Sequence, residues 1–222
     1  KPGDGMIYEV FPMVGMRDVL CTEDELELVN IPDWIHDDSH ILSQPMDYQI
    51  RPRQDSTQLI LSGDQRIVLD QVEHIMQMEK VYTLKSKDAE IVWSQQLKNG
   101  SFRGFKGFFG TLFNLASGVD DLSSLSLSAG DVSINLFEDQ FIDHVSGITW
   151  KDKQHGVKFN WEFHKRCKLY VRPILDLELG DNLIDQFQGI QILPLWSCQL
   201  IGQEAASFMS KLSCHKIGFL FR

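Results

Sequence analysis

The groups able to do chemistry in this chain are scattered. The seven histidines are His36, His40, His74, His144, His155, His164 and His215, and the four cysteines are Cys21, Cys167, Cys198 and Cys214. A metal centre needs several such groups to converge. His164 with Cys167, and Cys214 with His215, are fragments of ligand pairs, but the two-plus-two spacing of a structural zinc site is absent. On a strand, residues three apart point to opposite faces, so His164 and Cys167 cannot share an ion. Asp37-Asp38-Ser39-His40 sets two carboxylates beside a histidine in a polar loop, where such groups are ordinarily solvated. No G-x-S-x-G, P-loop, G-x-G-x-x-G or H-E-x-x-H occurs. Gly104, Gly107 and Gly110 recur every third residue, but the phenylalanines between them form no phosphate cradle. The sequence therefore offers no catalytic residue, metal ligand or cofactor motif, and reads as non-enzymatic.

Charge points instead to binding. The formal net charge is −10 over 222 residues, unevenly spread. Residues 1–60 hold 12 acids against Lys1, Arg17, Arg51 and Arg53, a balance of −8. Residues 151–172 hold seven basic residues against Asp152 and Glu162, a balance of +5. Lys98, Lys158, Lys165, Arg166, Lys168 and Arg172 are the candidate anion-binding set, suited to phosphates of lipid head groups or of RNA. Tyr170 is the only aromatic on the expected basic face, and stacking on single strands wants more. Nucleic acid therefore ranks behind an anionic membrane or a protein partner. The competing reading is a solvated sheet face, or basic islands covered by the acidic end.

Residues 101–117 are the strongest apolar feature. Wound at about 100° per residue, Phe102, Phe105, Phe108, Phe109, Leu112, Phe113, Leu115 and Ala116 fall in one arc of roughly 160°. The periodicity predicts an amphipathic helix. Phe102, Phe105, Phe109 and Phe113, flanked by Arg103 and Lys106, form a candidate docking face for a membrane or partner. Its glycines each cost about 1 kcal/mol in a helix interior, so it needs a surface to fold on. The competing reading is a core helix.

The remaining elements must carry these faces. Thr22-Glu23-Asp24-Glu25 is a capping box opening a short helix. Residues 33–55 read as an irregular arm with an extended piece at Tyr48-Gln49-Ile50, the place for a partner contact. A second helix is expected over Arg66–Lys80, then a hairpin over Val81–Lys85 and Glu90–Leu97. Strands follow at Leu122–Ser128, Val132–Phe137 and Ile142–Trp150. Val157, Phe159, Trp161 and Phe163 alternate with Lys158, Asn160, Glu162 and His164, the cleanest strand pattern. One or two strands around Pro194, a small helix over Gln203–Ser213, and strands at Met6–Val10 and Lys216–Phe221 complete the reading.

The fold class expected is α+β: a mostly antiparallel sheet with two or three packed helices and a β-rich C-terminal half. The domain reading is an acidic arm over 1–55 and one α+β domain over 56–222. No run of about 18 apolar residues exists, so no membrane-spanning helix is expected. The widely spaced cysteines suit reduced thiols and a cytoplasmic, peripheral-membrane setting. In architecture the layout resembles matrix proteins of enveloped RNA viruses. That resemblance implies a structural protein that docks on an anionic membrane or self-associates; the acidic arm itself is the expected site of a homo-oligomer contact through residues 1–55. The alternatives are an RNA- or protein-binding module using the basic 151–172 hairpin, or an enzyme or ligand carrier of unrecognised family.

Overall fold

The computed structural model describes residues 16–28, 40–85, 89–116, 122–175 and 187–217. Among them are β1 (Arg17–Thr22), α1 (Glu23–Leu28), β2 (Ile41–Leu42), β3 (Asp47–Pro52), β4 (Ser56–Leu69), β5 (Val72–Lys85) and β6 (Glu90–Asn99). Then come β7 (Phe105–Ala116), β8 (Leu125–Ala129), β9 (Val132–Ile134), β10 (Gln140–Asp152), β11 (Val157–Leu175), β12 (Phe187–Leu200) and β13 (Ala205–Lys216). The strands join in the order β2–β1–β7–β12–β11–β13–β6–β5–β4–β3, with β10 beside β11, β8 beside β10 and β9 beside β8.

β11 is the hinge of this arrangement. Its first half, Val157–Phe163, pairs with β13, and its second half, Lys168–Leu175, pairs with β12. β10 lies against both halves, so β13 and β12 succeed one another along the opposite edge. The sheet therefore splits at Phe163–Lys168 and closes over itself as a curled sandwich. Alternate residues of each strand enter the shared core, among them Trp93, Phe109, Trp161, Leu169, Ile192, Trp196 and Phe208. A second, smaller core lies on the far side of β7 and β12, where Val19, Leu112, Leu193 and Leu195 meet Leu26 of α1.

The α+β expectation is corrected: the described chain is almost all antiparallel strand, and its one α-helix is the six-residue α1. That helix begins where the capping box puts it. The expected helix over 101–117 is strand β7. Its two faces are both covered, Phe105 and Phe109 by one core and Leu112 by the other. A doubly buried strand reads as a continuous apolar run, which a helical wheel sorts equally well. The glycines reveal the reason. A Cβ on Gly107 would stand 2.1 Å from the Cys21 carbonyl oxygen, and one on Gly110 2.6 Å from that of Pro194.

The expected helix over 66–80 is a hairpin of β4 and β5, paired from Ser56↔Lys85 to Leu69↔Val72. Asp70 and Gln71 turn it with φ of 48° and 62°. That is a two-residue turn of the hairpin type, made without the glycine that usually announces it. The expected helix over 203–213 is strand β13. The 81–97 hairpin and the 157–163 strand stand as read. The strand expected at Met6–Val10, and most of that at Lys216–Phe221, lie outside the described residues.

Candidate functional site

Strand alternation makes one side of β11 chemical. Phe159, Trp161 and Phe163 turn toward the core, where Trp161 and Phe163 are buried. Their neighbours Asn160, Glu162 and His164 face outward, as the sequence pattern requires. Glu162 stands directly opposite Lys211 of β13. The Lys211 ammonium reaches the Glu162 carboxylate, Nζ to Oε2, at 3.0 Å. Across the other edge, the Thr149 hydroxyl donates to Asn160 Oδ1 at 3.1 Å.

His164 comes next along β11, just past the last β13 pair, Phe163↔Ser210. Where β13 leaves and β12 has not yet joined, a groove of about 410 Å³ opens. Val92 and Met209 give it apolar walls, and Glu162, His164 and Lys211 give it charge. Its volume falls within the roughly 300–1,000 Å³ of small-molecule sites. Two residues apart on a strand, the Glu162 and His164 backbones lie about 6.6 Å apart. That separation lets a carboxylate and an imidazole flank one reacting centre. The pair can serve as base and acid in a single proton-transfer step.

A second depression, of about 250 Å³, lies farther along β11, with Asp143, His144, Arg166, Lys168 and Phe108 on its walls. It is made by irregularity in β10, whose register slips twice between Ile142 and Gly147. His144 takes φ of 59° there, a left-handed conformation uncommon outside glycine. Lys168 Nζ lies 3.8 Å from Asp143 Oδ1 and 5.7 Å above the Phe108 ring. Bulges of this kind re-aim side chains, but this depression is smaller than the groove at Glu162.

The residues singled out from sequence are dispersed. Phe105 and Phe109 are buried, and Phe109 stacks on Phe208 with ring centroids 5.0 Å apart. Phe113 packs edge-on to Trp161 at 5.4 Å. Only Phe102 is fully exposed, in the turn before β7. Lys106 is held by Glu23 at 2.6 Å, and Arg103 lines a shallow groove with His74. Lys98 sits on β6 opposite Ala205. Lys158, Arg166, Lys168 and Arg172 share the outer side of β11, while Lys165 turns the other way, its ammonium 5.5 Å above the Phe208 ring. The phenylalanine ribbon is thus core, and the amphipathic docking helix does not exist. What the sequence reading missed is Lys211, which sheet pairing carries to Glu162 from 49 positions away. Glu162 and His164 themselves were visible on one strand face. Among the described residues, no group of three His, Cys, Asp or Glu side chains is placed to hold a metal ion. Nor, among them, is any helix long and apolar enough to cross a membrane.

No family model and no curated protein matches this sequence. Solved structures do match its fold. The chain superposes on a 4-α-glucanotransferase from Thermococcus litoralis with a TM-score of 0.60 at 14% identity, covering 93% of this chain and 28% of that one. A galactose mutarotase-like protein from Clostridium acetobutylicum matches with a TM-score of 0.54 at 12% identity, over 78% of this chain and 66% of that one. Galactose 1-epimerase from Lactobacillus acidophilus NCFM matches at 0.55 and 7% identity, over 78% and 67%. The chain thus spans under a third of the glucanotransferase and about two thirds of the other two. These likenesses overturn the viral-matrix reading and, with it, the non-enzymatic assembly role. The fold is a curled antiparallel sandwich of the kind found in proteins named for sugar chemistry.

Proposed function

We propose that this chain acts on a saccharide in the groove beside β11, with Glu162 and His164 moving protons at an anomeric centre. The observation that carries the reading is the groove itself: a carboxylate and an imidazole on one strand face, with Lys211 fixed on the carboxylate at 3.0 Å. The fold likeness to a galactose 1-epimerase and a mutarotase-like protein supports the same chemistry.

The step balances with these two groups alone. The Glu162 carboxylate takes the proton of the anomeric hydroxyl. The bond from the anomeric carbon to the ring oxygen breaks, and its electron pair goes to that oxygen. The His164 imidazolium protonates the oxygen, leaving an open-chain aldehyde. Rotation of the carbonyl presents its other face, and the two transfers run backwards to close the opposite anomer. Lys211 aims the Glu162 carboxylate through their 3.0 Å contact, and Met209 and Val92 offer apolar surface to the ring's C–H groups.

The experiment is anomer exchange followed by NMR on a panel of aldoses. Acceleration above buffer supports the reading; no acceleration for any sugar overturns it. One observation favours a second reading, in which the chain is the sandwich portion of a larger saccharide-processing enzyme: the glucanotransferase match covers nearly all of this chain and little of the other. Saccharide binding in the groove without exchange would select it.

A further inference from the structure

Among the described residues, β3 is an edge of the sheet, last in the strand order and paired with β4 alone. All six of its residues, Asp47–Pro52, are exposed, with Tyr48 at 71% and Ile50 at 62%. An open edge with large apolar side chains invites another strand.

The direction of its free backbone groups follows from one hydrogen bond. The Arg53 N–H donates to the Ser56 carbonyl at 2.8 Å, closing the β3–β4 turn. Hydrogen bonding alternates along an antiparallel pair. Arg51, Gln49 and Asp47 therefore turn their backbone groups toward β4, and Tyr48 and Ile50 turn theirs outward. Pro52, which has no N–H to offer, falls on the outward side, where an edge proline is tolerated.

We infer that β3 pairs with β3 of a second copy, antiparallel, about a two-fold axis through Gln49. In that register Tyr48 and Ile50 exchange N–H···O=C bonds with Ile50 and Tyr48 of the other chain. Four side chains then meet a complement, and Gln49, whose Oε1 accepts from Arg51 Nη2 of its own chain at 2.8 Å, meets its own copy at the axis. On one face Tyr48 packs on Ile50 of the second copy, and the reverse. On the other face Asp47 stands opposite Arg51 of the second copy, and Arg51 opposite its Asp47. Shifting the register by two one way sets Asp47 opposite Gln49; the other way it sets Arg51 opposite Gln49, moves Asp47 onto Arg53, and puts Pro52, which has no N–H, into the hydrogen-bonded pair with Tyr48. The edge is self-complementary in shape, hydrogen bonding and charge, as a two-fold contact requires. This pairing is independent of the sugar chemistry proposed for the groove. It locates the partner contact expected in residues 1–55.

Charge reversal tests it. Asp47→Arg sets two arginines opposite each other at both symmetric positions, and Arg51→Asp does the same with two aspartates. Sedimentation velocity over a concentration series should show wild-type dimers, and each single variant should weaken them by about tenfold or more. Mixing the two variants in equal amounts, or combining both changes in one chain, should restore association. Because restoration requires folded protein, it also excludes misfolding as the cause of the loss. A wild-type monomer at every concentration, a dimer indifferent to both substitutions, or variants that stay apart when mixed would overturn the proposal.

Discussion

Asp18 of β1 and Lys80 of β5 form an ion pair inside the sandwich, between two strands that lie far apart in the sheet order. Both side chains are buried. Gln95 Nε2 donates to Asp18 Oδ1 at 2.8 Å, and the Thr111 hydroxyl reaches the same oxygen at 3.2 Å. The pair and its two neighbours tie β1 and β7 to β5 and β6 across the core. Burial lifts the Asp18 carboxyl above its ordinary value, against the pull of Lys80 and of the hydrogen bonds. Removing one charge strands the other in an apolar interior. Lys80→Met and Asp18→Leu should each cost about 3–5 kcal/mol in urea unfolding. The double substitution should recover most of that loss, because no unpaired charge remains. A double mutant as unstable as the sum of the singles would contradict the pairing.

The strand reading of residues 105–116 makes a prediction opposite in sign to the helical one. In a helix, Gly107→Ala would gain up to about 1 kcal/mol. In β7 the added methyl would press on the Cys21 carbonyl oxygen, 2.1 Å away. Overpacking of this kind costs about 1–3 kcal/mol, occasionally more. Thermal unfolding of Gly107→Ala should therefore show a clear loss, and any gain would refute the sheet placement.

The buried thiols predict a pH dependence. Burial pushes the Cys167 thiol up to about 12 and the Cys198 thiol up to about 11, against an ordinary value of 9.0. The folded chain holds protons there that the unfolded chain releases. These two groups thus leave stability unchanged below pH 9 and erode it as pH climbs toward 11–12. At pH 8, iodoacetamide should modify the partly exposed Cys214 and spare Cys167 and Cys198 until denaturant is added. Mass spectrometry of the labelled peptides reads this directly. Labelling of Cys167 in the native protein would contradict its placement in the core.

Much of the sheet was legible because several strands have one wet face. The alternation from Val157 to Phe163 could hardly mean anything else. The paired strands on either side of residues 86–88 were marked in the sequence, and Thr22–Glu25 announced α1. What failed were strands with two dry faces or an unmarked turn. β7 carries large apolar side chains on both faces, Phe105, Phe109 and Phe113 on one and Phe108 and Leu112 on the other, so period alone could not choose. Asp70-Gln71 turns without glycine, so Ile67 through Met78 looked like one helix. The site was half legible for a related reason. Glu162 and His164 are near in sequence and share a strand face. Lys211 and the groove depend on long-range pairing of β13 with β11, and on β11 changing partners at Phe163, which no local pattern encodes.

The proposed chemistry stands or falls on two side chains. The most direct measurement is the rate of aldose anomer exchange by wild type, Glu162→Gln and His164→Gln, at matched concentrations of folded protein. Loss of a positioned general acid or base predicts a fall of about 10²–10⁴ in each variant. Wild-type exchange that survives both substitutions undiminished would contradict the assignment.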